Sequence, residues 1–144
     1  MSSIPFSDRE LRRAWRELSE VCTPQSARKN AHRLLLFYAV ECGLKAIWLK
    51  RQSRTLFTKE DIERTGHDLR EIVKELRLGA MFVLPQSLQL SPAVNKGLNL
   101  PRNGDITILH QAWRYGGQCM NPGDAVCENQ LVAILAWINK EIAA

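Results

Sequence analysis

The residues best able to do chemistry in this 144-residue chain are an acid and a base four apart, Glu41 and Lys45, set inside an apolar run. At about 100° of rotation per residue, Leu34, Tyr38, Cys42 and Leu49 share one side of a helix and Trp48 lies at its edge. Glu41 and Lys45 fall in the middle of that side. Acid before base at this spacing is the favourable order for a helical ion pair. A buried charge is costly unless it is paired and hydrogen-bonded. The pair therefore reads as a structural ion pair that fixes helix register or as a polar site lining a cleft, and the first reading is preferred. His32, His67 and His110 are the other candidate bases. The four cysteines, Cys22, Cys42, Cys119 and Cys127, form no CxxC and lie far in sequence from the histidines. No zinc-ligand spacing results, so no metal and no cofactor is expected. The thiols read as small apolar residues.

The opposite side of the same helix is apolar in the middle, with Leu36, Ala39, Val40, Leu44, Ala46 and Ile47, and basic at both ends. A helix apolar all round should be covered all round. Two arrangements do this: burial at the centre of the chain's own fold, or a core on one side and a partner or second copy on the other. The net charge is +5, and residues 28–54 hold seven basic residues against one acid, while the remainder nets −1. Arg28, Lys29, Arg33, Lys50, Arg51 and Arg54 thus form a candidate RNA-binding rim; a solvated helix with exposed ends explains them equally well.

Five helices are predicted to position these groups. Ser7-Asp8-Arg9-Glu10 is a capping box, followed by Leu11, Ala14, Trp15, Leu18 and Val21 at helical spacing. Thr23-Pro24 stops that helix and opens the long one, predicted over Pro24–Arg51. Thr58–Asp61 opens a short turn ending near Gly66. Thr65–Asp68 opens a third helix, with Leu69, Ile72, Val73 and Leu76 on one face and Gly79 at its close. Residues 80–103 read as a long loop with a short helix near Ser91–Lys96, a candidate docking element. Asp105 caps a helix running to Tyr115, which Gly116-Gly117 ends. Asp124 caps the last, with Cys127, Leu131, Ile134, Leu135, Ile138 and Ile142 facing inward. Trp15, Trp48, Trp113 and Trp137 lie on these stripes and read as core. No run alternates with period two long enough to make a sheet. The expected fold is one soluble all-α domain over residues 1–144. No signal peptide or bilayer-length apolar stretch is evident, so no membrane contact and a cytoplasmic location are expected.

Three pieces of this sequence together resemble the HEPN family of small helical domains of bacteria and archaea. Phe37-Tyr38-Ala39-Val40-Glu41-Cys42-Gly43-Leu44-Lys45-Ala46 is similar to the family's aromatic–Ala–x–Glu–x–x–Leu–Lys–Ala helix. His67-Asp68-Leu69 is similar to its His–Asp–Leu. Arg114-Tyr115 is similar to its Arg–Tyr–Pro, with Gly116 in place of the proline. The similarity spans roughly Asn30 to Lys140. It implies an up-and-down helical bundle that commonly dimerises and associates with RNA or nucleotides. It also implies minimal nucleotidyltransferase partners and a toxin–antitoxin or phage-defence setting. Glu41, Lys45, His67, Arg114 and Tyr115 are its candidate ligand or polar-cluster residues, and a buried Lys45–Glu41–Arg114 cluster is expected. Many family members are metal-independent ribonucleases with an arginine, four to six intervening residues and a histidine, a base and a cation for 2′-hydroxyl attack on phosphate. Here His32 follows Arg28 after three residues, His67 follows Arg64 after two, and His110 follows Arg102 after seven. Arg102 and His110 are the nearest candidate pair. The expectation is a non-catalytic module that dimerises or binds a protein partner, RNA or a nucleotide. The alternatives are a metal-independent endoribonuclease with a degenerate motif and a structural adaptor.

Overall fold

The computed structural model describes residues 4–65 and 68–143. His67, a candidate site residue, lies outside them. A short strand, β1 (Phe6–Ser7), leads into helix α1 (Asp8–Val21), and the capping box forms as the sequence predicts, with Glu10 N–H donating to Ser7 Oγ at 3.1 Å and Ser7 N–H to Glu10 Oε1 at 3.0 Å. The long helix, α2, runs Asn30–Arg51 and not from Pro24. Thr23 does not cap it. The Thr23 hydroxyl accepts from Arg28 Nη2 at 3.0 Å, and Arg28 Nε donates to the Cys22 carbonyl at 2.7 Å, which holds residues 24–29 in an irregular bend. Strand β2 (Leu56–Phe57) pairs antiparallel with β1.

Next come α3 (Lys59–Thr65) and α4 (Leu69–Glu75). Asp68 caps α4, accepting from Arg70 N–H at 2.8 Å. The helix ends at Leu76, not Gly79: Leu78 N–H reaches the Val73 carbonyl and Arg77 N–H the Lys74 carbonyl, a Schellman motif with Arg77 in its left-handed position at φ 57°.

The expectation of an all-α helical bundle is corrected here. Residues 80–103 are not one long loop, and the Ser91–Lys96 segment is not a helix. A 3-10 turn (Ala80–Phe82) precedes β3 (Leu88–Asn95), which pairs antiparallel with β4 (Leu98–Gly104), and β3 also pairs with β5 (Cys119–Asn121) to give the order β4-β3-β5. Lys96 and Gly97 both take positive φ, the geometry of the hairpin turn whose twist matches its strands. The register slips between Leu90 and Ala93, where Pro92 has no N–H to give, and Pro101 sits on the edge strand. That bulge breaks the period-two pattern in the sequence and hides the hairpin. The protein is thus mixed α and β, with six α-helices and two small antiparallel sheets among the described residues.

Helices α5 (Ile108–Arg114) and α6 (Asp124–Ala143) complete the chain. Gly116, at φ 78°, supplies the left-handed residue that closes α5, and Gly117 N–H returns to the Ala112 carbonyl at 2.7 Å. Of the predicted α6 stripe, Cys127, Leu131, Ile134, Leu135 and Ile138 are buried and Ile142 is half-buried. α2 is the axis: α1 and α6 cover most of it, and α5 and α4 the rest. At Gly43 a Cβ would lie 2.6 Å from Ile138 Cγ2 and 3.0 Å from Trp15 Cδ1, so the three longest helices meet where a side chain is missing.

Candidate functional site

Of the two arrangements open for α2, burial at the centre of the chain's own fold is the one found for the side carrying Leu36, Ala39, Val40, Leu44, Ala46 and Ile47. The strip Leu34–Tyr38–Glu41–Cys42–Lys45 remains half-buried. Glu41 and Lys45 are therefore not sealed charges. Lys45 Nζ donates to Glu41 Oε2 at 3.0 Å, with 16% and 22% of the two side chains exposed. The ammonium also lies 5.1 Å from the centre of the Phe57 ring, a cation–π distance. On one flank a cleft of about 170 Å³ is lined by Ile4, Phe6, Leu11, Phe57 and Ile62 around the pair. On the other, a crevice of about 10 Å³ separates the pair from Thr65, Asp68, Leu69 and Ile72. Cys42 beside them is a poor nucleophile: burial, and then Glu41, push its thiol up to about 11.

One turn earlier, α5 docks on the same strip. Arg114 Nη2 donates to the Tyr38 hydroxyl, and its guanidinium lies 6.0 Å from the ring centre. The hydroxyls of Tyr38 and then Tyr115 raise the arginine's pKa. The His110 ring is 5.5 Å from Phe37 and 6.3 Å from Tyr38. Burial lowers its pKa, the Arg114 charge adds to that, and Glu41 opposes it, so the neutral ring is favoured. Its Nδ1 is buried without a hydrogen-bond partner. The expected Lys45–Glu41–Arg114 cluster is accordingly corrected: Arg114 stops at Tyr38, and Glu41 keeps Lys45 alone among the described ion pairs. Tyr38 carries the link; the sequence marked it as part of the apolar stripe and of the aromatic start of the Glu41–Lys45 motif, not as a partner of Arg114.

Arg102 and His110 are not brought together. Ile108, Gln111, Ala112 and Tyr115 face the hairpin and, with Arg102, line a cavity of about 270 Å³. His110 and Arg114 point the other way, toward α2, as their rotation of about 100° per residue requires. Arg102 folds back on the hairpin, its Nε donating to the Ser91 carbonyl at 2.8 Å. Tyr115 is 78% exposed.

Most of the basic rim is committed to architecture. Arg33 Nε meets Glu128 Oε1 at 2.9 Å and lies 3.8 Å from Asp124, and Arg28 lies 3.5 Å from Glu128. Lys50 donates to the Glu141 carbonyl at 3.1 Å. Arg51 donates to the Leu76 carbonyl, lies 5.6 Å from the Trp137 ring centre and reaches Glu141 at 3.9 Å. Arg54 grips Asp61 through two nitrogens at 2.7 and 2.6 Å. Burial would raise the Asp61 pKa, but the Arg54 hydrogen bonds, with the Thr58 N–H and hydroxyl, hold it at about 2. Lys29 is exposed at the start of α2, where its N–H donates to His32 Nδ1 at 3.1 Å. The clusters at the two ends of α2 are some 30 Å apart, from about 1.5 Å of rise per residue.

Among the described residues no group of His, Cys, Asp and Glu is placed to hold a metal ion, and no helix is long and apolar enough to cross a membrane. The cysteines are free thiols, and three of them are buried. Comparison of the chain with family models, with curated proteins and with solved structures finds no match, so no family, fold or activity is carried over from a relative.

Proposed function

We propose that the chain is a non-catalytic HEPN-like association module, which takes RNA, a nucleotide or a partner protein on the face where α5 meets α2 and does not cut RNA. The observation that supports it is the division of α5. Arg102 lies against one side of the helix and His110 projects from the other, so the nearest arginine–histidine pair is not assembled. The ligand face in this reading is Tyr38, Glu41, Lys45, His110 and Arg114, with Arg114 as its exposed cation. Self-association uses surfaces other than the apolar side of α2, which is already covered. The setting proposed with it, a toxin–antitoxin or phage-defence operon, comes with the sequence resemblance. Incubation with single-stranded RNA in chelator tests the reading: no cleavage is expected, together with binding that weakens steeply as salt rises and drops in Arg114→Ala. Cleavage, or binding indifferent to both salt and Arg114, would overturn it.

A second reading has its own observation. The His110 Nδ1 is buried without a hydrogen-bond partner, burial favours the unprotonated ring that can accept a proton, and Arg114 stands one turn further along the same face as a cation for phosphate. A metal-independent ribonuclease using that pair would cleave RNA in chelator and lose the activity in both His110→Ala and Arg114→Ala.

A further inference from the structure

A cavity lies away from the α2–α5 face, at the C-terminal end of α4. It measures about 350 Å³ and is lined by Arg70, Lys74 and Arg77, one acid, Glu71, and an apolar set including Val73, Leu78, Val83 and Leu84. Ligand pockets begin at about this size. Val73, Leu78 and Leu84 are buried and form an apolar floor. Arg70 is fixed in the wall, its Nε donating to the Leu84 carbonyl at 3.0 Å. Lys74 and Arg77 are exposed, and neither is within ion-pair distance of a described acid. Arg28, Arg33, Arg51 and Arg54, at and beyond the ends of α2, take acids from α6 and α3; among the described residues these two take none.

Two further observations point to a ligand. Arg77 holds the left-handed position of the Schellman turn, where glycine is the ordinary residue and any side chain adds strain. That turn places the Arg77 side chain at the end of α4, where it lines the cavity. Beside the cavity, the 3-10 turn and the residue after it leave Met81 84% and Val83 54% exposed, which extends the apolar surface past the cavity mouth.

We infer that this pocket docks an acidic peptide segment of a partner protein, with one large apolar side chain on the Val73–Leu78–Leu84 floor and flanking carboxylates on Lys74 and Arg77. Charge complementarity selects an anion, and the apolar floor and rim select a side chain as its anchor. A nucleic acid fits less well, because the cations form a cluster of three, not a track along which a phosphate backbone would lie. The inference does not depend on the reading of the α2–α5 face.

The test is a selection from a random dodecapeptide display library on the full chain, followed by fluorescence anisotropy of the enriched peptides. The peptides are expected to pair Asp or Glu with Leu, Phe or Met. Their affinity is expected to fall about tenfold or more in the Lys74→Glu, Arg77→Glu double variant and severalfold in Val83→Asp. All three positions are exposed, and circular dichroism checks that each variant is folded. Single-stranded RNA is expected not to displace the peptides. Enriched peptides without acids, peptides that bind the charge-reversed chain equally well, failure to enrich any sequence, or displacement by RNA at comparable concentration would each overturn the inference.

Discussion

The cations at the ends of α2 and those at the end of α4 look alike as residue types and differ in what they meet. Arg28, Arg33, Arg51 and Arg54 all reach acids on α6 or α3, and Lys50 reaches an α6 carbonyl. Lys74 and Arg77 reach none among the described residues. The densest basic segment of the sequence is therefore mostly neutralised in the fold. A smaller cluster, in a stretch that is not basic overall, is left available. Charge density along a chain counts charges, and availability depends on partners brought from elsewhere.

The largest expected effect is at Asp61. Replacing one carboxylate oxygen by an amide nitrogen removes the charge and the two-point acceptor of the Arg54 guanidinium, and Asp61→Asn should cost about 3 kcal/mol in urea unfolding. A cost under about 0.5 kcal/mol would erase the contrast between the two regions. The same contact has a pH signature. The folded pKa of Asp61, about 2, lies below its ordinary 3.8. A depressed carboxyl contributes stability that is present above pH 4 and lost as pH falls through 2. With Arg54 36% exposed and partly screened, that contribution is about 1–2 kcal/mol. It should be missing from the acid limb of Asp61→Asn.

Arg33→Ala should cost about 1 kcal/mol, and a double-mutant cycle with Glu128→Gln should show coupling. At the other region the sign changes. Arg77→Gly should stabilise the fold by up to about 1 kcal/mol by relieving the left-handed backbone. Destabilisation there would mean that the side chain serves the fold and not a ligand. Lys74→Ala should leave thermal stability within about 0.5 kcal/mol, as expected of an exposed residue without a partner.

Much of the helical framework was legible because helix ends are local. Ser7 with Glu10, Thr58 with Asp61, Asp68, Asp105 and Gly116 each act within a few residues of themselves, and all form the bonds or take the conformation their types predict. Thr23-Pro24 misled because Arg28 competes for the same hydroxyl. The β3–β4 hairpin was illegible because Pro92 sits at a register shift and every residue from Leu98 to Asn103 is exposed, so no buried alternation marks the strand. Lys96-Gly97 was its one local signal. In the candidate site, Glu41–Lys45 could be read from spacing, since both ends lie on one helix. Tyr38 as the partner of Arg114 could not, since the two are 76 residues apart.

The sequence by itself determined where most helices begin and end, that α2 is apolar on both sides, and that Glu41 and Lys45 pair. These rest on caps and on helical period, which act over one or two turns. The tertiary structure alone decided which side of α2 is the core, which face of α5 meets it, and which cations keep their charge unpaired. Each of those depends on an acid, an aromatic ring or a packed helix arriving from a distant part of the chain, and no local spacing encodes that arrival.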